Sequence, residues 1–206
     1  LTAMSGGGLL SVSGYLAYRN GVYADLSLSG KGIRIRYPQG VSSAADINLQ
    51  LQGPQNNLLL SGGVLITRFS VSSEIDLVAL AAQAGKTQPV TRSDAPSNHI
   101  RLDVRVQSSP QLNFQNAYAK LAGYVDLRLR GTVASPSLLG HVSITEGSAT
   151  IAGTRYELQR GEINFTNPVR IQPLIDLNAT ARVEDYDITL GLHGPIDQLA
   201  VTYRSD

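Results

Sequence analysis

GTRYELQRGEINFTNP, residues 153–168, alternates apolar and polar side chains through Tyr156, Glu157, Leu158 and Gln159. Arg160-Gly161 interrupts the alternation, Ile163, Asn164 and Phe165 resume it, and Asn167-Pro168 stops it. A period of two is that of a β-strand, and Gly and Asn-Pro are chain punctuation. The stretch therefore reads as strand, turn, strand, stop. Gly153 and Gly161 reverse the chain, and Tyr156, Leu158, Ile163 and Phe165 supply one apolar face.

The same period governs much of the chain. Ile33 and Ile35 alternate with Arg34 and Arg36, and Ile47, Leu49 and Leu51 with Asn48, Gln50 and Gln52. Ile100, Leu102, Val104 and Val106 alternate with Arg101, Asp103 and Arg105. Val125, Leu127 and Leu129 alternate with Asp126, Arg128 and Arg130, and Ile188, Leu190 and Leu192 with Asp187, Thr189 and Gly191. Each strand has one apolar and one wet face, the pattern of an antiparallel sheet. Turn signals fall at Arg19-Asn20-Gly21, Ser29-Gly30-Lys31-Gly32, Gly53-Pro54, Ser61-Gly62-Gly63, Glu146-Gly147 and Gly194-Pro195. About a dozen or more strands follow, in similar strand–Gly–strand units that suggest an elongated meander.

Two segments depart from this. Ile75–Ala84 is rich in Ala and Leu without Gly or Pro, and reads as a short helix. Gly85–Asn98 is polar with Pro89 and Pro96, and reads as a flexible loop. The chain thus divides into strands and the short helix over 1–84, a loop over 85–98 and strands over 99–206.

Composition narrows the function. A net charge of +1 offers no global attraction to nucleic acid or to an acidic surface. With no cysteine, disulfides, thiolate metal sites and a Cys nucleophile are excluded. Nine Tyr, three Phe and no Trp leave Leu, Ile, Val and Ala to supply most apolar area. No apolar run reaches the length of a membrane span, and no signal peptide is visible. The chain reads as a segment of a longer protein.

No catalytic constellation emerges. His99, His141 and His193 share no short ligand spacing and read as strand-end surface residues. Glu184, Asp185 and Asp187 around Tyr186 read as a polar hairpin turn, without the Gly and alternating ligands of a calcium loop. No Gly-x-Ser-x-Gly elbow or phosphate loop is present. The cation pairs Arg34/Arg36 and Arg128/Arg130 suit cross-strand ion pairs on a wet face. The expectation is a protein that is not an enzyme and needs no metal or cofactor. What remains is the apolar face, which either packs against a second sheet or lines a trough in a single curved one.

The C-terminal half carries a recognisable order of motifs. Leu127-Arg128-Leu129-Arg130-Gly131-Thr132-Val133 leads through Pro136-Ser137-Leu138-Leu139-Gly140 to Glu146-Gly147. Gly153-Thr154-Arg155-Tyr156, Gly161-Glu162-Ile163-Asn164-Phe165, Pro173-Leu174-Ile175-Asp176-Leu177 and Gly194-Pro195-Ile196-Asp197-Gln198-Leu199 follow. This order resembles the C-terminal domain of the TamB-like translocation and assembly proteins, which group with AsmA-like, bridge-type lipid-transfer proteins. The resemblance implies an all-β, mostly antiparallel curved sheet folded into a β-taco-like groove with an apolar interior. It implies a periplasmic protein of a diderm bacterium, anchored in the inner membrane by a segment this chain lacks, with an Omp85-type outer-membrane barrel as partner of the full-length protein. It also implies conduction of phospholipids to the outer membrane or, alternatively, scaffolding of β-barrel assembly and secretion. Acyl chains would lie along Ile33, Ile35, Ile47, Leu49, Leu51, Ile100, Leu102, Val104, Val106, Val125, Leu127, Leu129, Val142, Ile144, Ile163, Phe165, Ile175, Leu177, Ile188, Leu190 and Leu192.

Overall fold

A computed structural model describes residues 2–5, 8–18, 21–36, 41–71, 96–110, 112–115, 118–151 and 153–205. The strands are β1 (Thr2–Ser5), β2 (Gly8–Ala17), β3 (Tyr23–Ile35), β4 (Val41–Pro54), β5 (Leu58–Val71), β6 (Ile100–Ser108) and β7 (Leu112–Gln115). They continue as β8 (Ala119–Thr132), β9 (Pro136–Ile151), β10 (Thr154–Phe165), β11 (Pro173–Val183), β12 (Tyr186–Pro195) and β13 (Ala200–Ser205). All belong to one 13-stranded sheet in chain order, with β7 set beside β8. Every pairing is antiparallel except β5–β6. β1 and β13 do not pair with each other, so the sheet is open, as a taco-like fold requires, and not a barrel. Among the described residues no second sheet is present to cover this one.

Several glycine clusters expected as turns lie inside strands. Ser29-Gly30-Lys31-Gly32 is a bulge within β3, where the Gly32 amide donates to Asp46 Oδ1 at 2.8 Å. Ser61-Gly62-Gly63 is inside β5, and Glu146-Gly147 inside β9. Arg160-Gly161 does not reverse the chain either, because β10 runs unbroken from Thr154 to Phe165. Reversals do occur at Gly53-Pro54, at Gly153, at Gly194-Pro195 and at Glu184-Asp185. Asn167 ends β10 by accepting the amides of Val169 and Arg170 on its Oδ1 at 2.9 and 3.2 Å. The expected helix at 75–84 and most of the 85–98 loop lie outside the described residues. Pro96–His99 forms a short 3-10 turn.

Bulges bend strands and sharpen their twist. Here they line up. Register shifts fall at Gly30/Ile33, at Ala44/Ala45 opposite Thr67, at Ala122/Gly123 opposite Thr145, and at Leu158/Arg160. Between them, β6 ends at Ser108 and β7 starts at Leu112, both paired with β8 on the same side. At that break the Ser108 hydroxyl accepts the Val125 amide at 2.9 Å. Thr67 and Thr145 each donate their hydroxyl to the carbonyl of the facing Ala44 or Ala122, at 3.1 and 3.2 Å. The bulges form a crease across the sheet, a few residues from one rim.

The two hairpins β4–β5 and β8–β9 are the same unit built twice. Both carry the Ala/Thr bulge. Both turn through a positive-φ glycine, Gly53 or Gly131, and place a second one, Gly62 or Gly140, in the returning strand. The turns share their closing bond, Asn57 N donating to Pro54 O and Ser135 N to Thr132 O, and Thr132 N adds a bond to Ser135 O that Pro54, without an amide hydrogen, lacks. Gln55 N reaches Val22 O in the adjacent lane, as Val133 N reaches Ile100 O. The β12–β13 turn repeats the scheme, with Gln198 N to Pro195 O and Ile196 N to Pro173 O.

Gly62 has φ +125°, and a Cβ there would sit 2.2 Å from the Asn48 carbonyl oxygen. Gly21 has a similar φ of +116° but open space around the Cβ position. Backbone strain of about 1–3 kcal/mol applies to Ala at either position, and a backbone collision is added only at Gly62. Chemical denaturation followed by circular dichroism should therefore show Gly62→Ala losing clearly more stability than Gly21→Ala. Equal losses would mean that the close strand approach at Gly62 is not structurally required.

Candidate functional site

Following the register from lane to lane shows which side chains share a face. Leu10, Gly30, Ile47, Val64, Val106, Leu127, Gly140, Phe165 and Pro173 form one row across nine strands. Val12, Leu28, Leu49, Gly62, Val104, Leu129 and Leu138 form the next. Gly123, Ile144, Gly161, Leu177, Leu192 and Val201 form a third towards β13. Every residue expected to line a groove falls on this one face. Ile33 and Ile35 join it opposite Ala45 and Ser43, Ile100 opposite Leu58, and Ile188 and Leu190 opposite Ala181 and Ala179. Val125, Val142, Ile163 and Ile175 make a further row.

The sequence reading missed part of this face. Leu26 and Leu28 alternate with Ser27 and Ser29, a signal that was available. The Leu58-Leu59-Leu60 run hid its own parity, and only the register puts Leu60 on the apolar side. Phe69 and Phe114 were also missed. Their rings meet at 6.1 Å because the crease and the break between β6 and β7 bring them together.

The face is covered unevenly. Among its predicted residues, Ile33, Leu102, Val104 and Leu190 are buried, Ile35 is exposed, and the rest are half-buried. Among the described residues no large side chain is fully buried. The two buried clusters draw on adjoining lanes only. One joins Tyr156, Ala179, Ala181 and Leu190, and the other Val41 and Phe114 with Phe69, Ala119 and Leu121. Both lie at or beyond the crease. Neither brings distant strands face to face, as the core of a sandwich would. Aliphatic side chains fill the middle of the face, and its Phe and Tyr rings sit towards the strand ends.

The opposite face is polar. Its depression of about 810 Å³ lies over a row of small residues, Ser11, Ser29, Asn48 and Gly63, flanked by Lys31 and Leu65. Small side chains leave that volume empty, and Gly30, Ile47, Gly62 and Val64 of the aliphatic rows also border it. Among the described residues no group of three or more His, Asp or Glu side chains comes together. His141 lies within β9 and not at a strand end, edge-on to Tyr124. His193 pairs with Asp176 across β11 and β12 at 2.8 Å.

Cross-strand ion pairs knit β6 to β8 on this face. Arg105 and Arg128 are directly opposite, and each reaches diagonally to a carboxylate: Arg105 to Asp126 at 3.0 Å, Arg128 to Asp103 at 2.6 Å. Hydrogen bonds from Arg128 and Arg105 hold the Asp103 and Asp126 carboxyls below their ordinary range, against a smaller opposing effect of desolvation. Glu162 is lowered in the same way by Arg160. Because the folded pKa values are depressed, this stabilisation is present above the ordinary carboxylate range. It is lost as pH falls through the folded values, below about pH 4. Asp103→Asn/Asp126→Asn should lower the thermal midpoint at pH 7 and flatten its decline between pH 5 and pH 2. An unchanged acid limb would show that these exposed pairs do not contribute.

No curated protein matches the chain in sequence. The family profile described as the TamB C-terminal domain matches residues 1–206, the whole chain. No helix among the described residues is long and apolar enough to cross a membrane. The whole-length match places the protein in the TamB C-terminal domain family, and with it in outer-membrane assembly in the envelope of a diderm bacterium.

Proposed function

We propose that this chain is a segment of a hydrophobic groove that conducts phospholipid through the periplasm towards the outer membrane, without catalysis. The observation that carries this reading is the aliphatic face, continuous from β2 to β13 by register and half-exposed along most of its length. Acyl chains laid on it leave water at a gain of about 0.8 kcal/mol per methylene. The floor offers Leu, Val, Ile and Gly with no fixed polar anchor, so an acyl chain can slide without breaking hydrogen bonds. Head groups stay in water at the open seam.

Leu127 tests this best, because it is half-buried in the central row and outside both buried clusters. Leu127→Arg should keep a cooperative unfolding transition while the phospholipid extracted with the purified chain falls at least tenfold. A folded variant that retains wild-type lipid content removes the groove reading. Leu190 is buried at 3% exposure, so Leu190→Arg is expected to unfold the domain instead.

A second reading, scaffolding of outer-membrane β-barrel assembly with an Omp85-type partner, draws on β13. Its side chains, Ala200–Ser205, are all exposed, and among the described residues no strand pairs with its second edge. An open edge accepts a strand through backbone hydrogen bonds. Of the neighbouring amides at Val201 and Thr202, one faces β12 and the other faces out. Under this reading, the proline variant at the outward amide abolishes strand capture in a pull-down and leaves lipid content unchanged. Under the conduit reading alone, it changes neither.

A further inference from the structure

The β2–β3 hairpin loses its two-faced pattern at its tip. Along the ribbon, Leu10, Val12, Leu26 and Leu28 hold the apolar face, and Ser11, Ser13, Ser27 and Ser29 the polar one. At the tip the polar side changes character. Tyr15 follows Ser13 on that side, and Ala17 pairs with Tyr23 there. Leu16, opposite Ala24, continues the apolar side. Tyr15, Leu16, Tyr18 and Tyr23 are exposed at 57, 47, 72 and 36%. A ribbon that is apolar on one side covers a surface, whereas one apolar on both sides is suited to being surrounded.

We propose that this tip inserts into the surface of a phospholipid bilayer. Three properties of the tip select that occupant over a protein. The described tip, residues 15–18 and 21–23, is too small for the roughly 800 Å² per partner that a stable protein interface buries, whereas shallow insertion into lipid needs no matching shape. Tyrosine, with an apolar ring and a polar hydroxyl, suits the headgroup level of a membrane. The described tip residues, 15–18 and 21–24, carry no charged side chain, so their insertion buries no charge. The first carboxylate, Asp25, lies opposite Tyr15 and accepts a hydrogen bond from Gln50 at 3.2 Å. Leu16 extends the same face as Leu10 and Val12, so a tip seated in a bilayer joins the acyl layer directly to the aliphatic face. That last consequence rests on the groove reading, while the docking itself does not.

The chain has no tryptophan, so Tyr18→Trp installs a single reporter at the tip. With vesicles of phosphatidylcholine and phosphatidylglycerol, its emission should shift to the blue and be quenched by brominated acyl chains. Val169→Trp, at an exposed site on the β10–β11 connection, should show neither change. Tyr15→Ser/Leu16→Ser/Tyr18→Ser should reduce vesicle co-sedimentation at least tenfold with an unchanged thermal midpoint. No shift at position 18, an equal shift at position 169, or wild-type sedimentation of the folded triple variant overturns the proposal. So does a shift seen only with detergent-solubilised outer-membrane proteins. Loss of the groove reading is seen separately, as wild-type protein that carries no phospholipid on extraction while the reporter still shifts.

Discussion

Across a β-ladder, a side chain lies on the same face as its register partner, and residues one apart lie on opposite faces. An apolar face that crosses a 13-stranded sheet therefore depends on parity being kept from lane to lane. One slipped residue would send a strand's leucines to the wet side. The bends in this sheet put that parity at risk, because each bulge inserts a residue into one strand only. In β10, Tyr156 and Leu158 have even numbers, and Ile163 and Phe165 odd ones. A regular strand would put the two pairs on opposite faces. The bulge at Leu158/Arg160 consumes one residue and returns Ile163 and Phe165 to the apolar side, against Val142, Gly140, Ile175 and Pro173. Bulge and sequence pattern are thus matched to each other.

The same bulges give the sheet its shape. They run as a crease from β3 to β11, and both buried clusters lie at or beyond it, with Phe69 and Phe114 packed near the rim. On the other side of the crease the face stays mostly half-buried. The division has a volume argument behind it. A sheet with so few large aromatics cannot fill a thick core, and it places rings towards its margins and aliphatics along its floor. Repetition of one hairpin unit, with matching bulges, glycines and turn hydrogen bonds, lengthens that floor without new chemistry.

Polar contacts serve as fastenings around this arrangement. The arginine–aspartate diagonals between β6 and β8 settle a direct Arg105–Arg128 confrontation by sending each guanidinium to a carboxylate one step away. The Asp46 carboxylate and the Ser108 hydroxyl bond to amides where the ladder is interrupted. Backbone groups left without a ladder partner must find another, and short polar side chains beside the bulges are the nearest.

Alternation of Leu, Ile and Val with charged or polar residues was enough to establish strands, an antiparallel class and the membership of one apolar face. A period of two is written residue by residue and needs no long-range information. Glu184-Asp185 as a turn and Arg128 and Arg130 as ion-pair partners were legible for the same local reason. The glycine clusters were not. Gly62 and Gly53 both have positive φ, and what separates them is that Gly62 is paired on both sides, with Leu49 and Val104, whereas Gly53 is paired with Ala24 alone, one residue before β4 ends. The phase of the bulges, the crease they compose, the single open sheet in place of two packed ones, and the two-sided apolar tip of β2–β3 all depend on register between lanes. Register is a relation between distant residues, so only the tertiary structure could decide it.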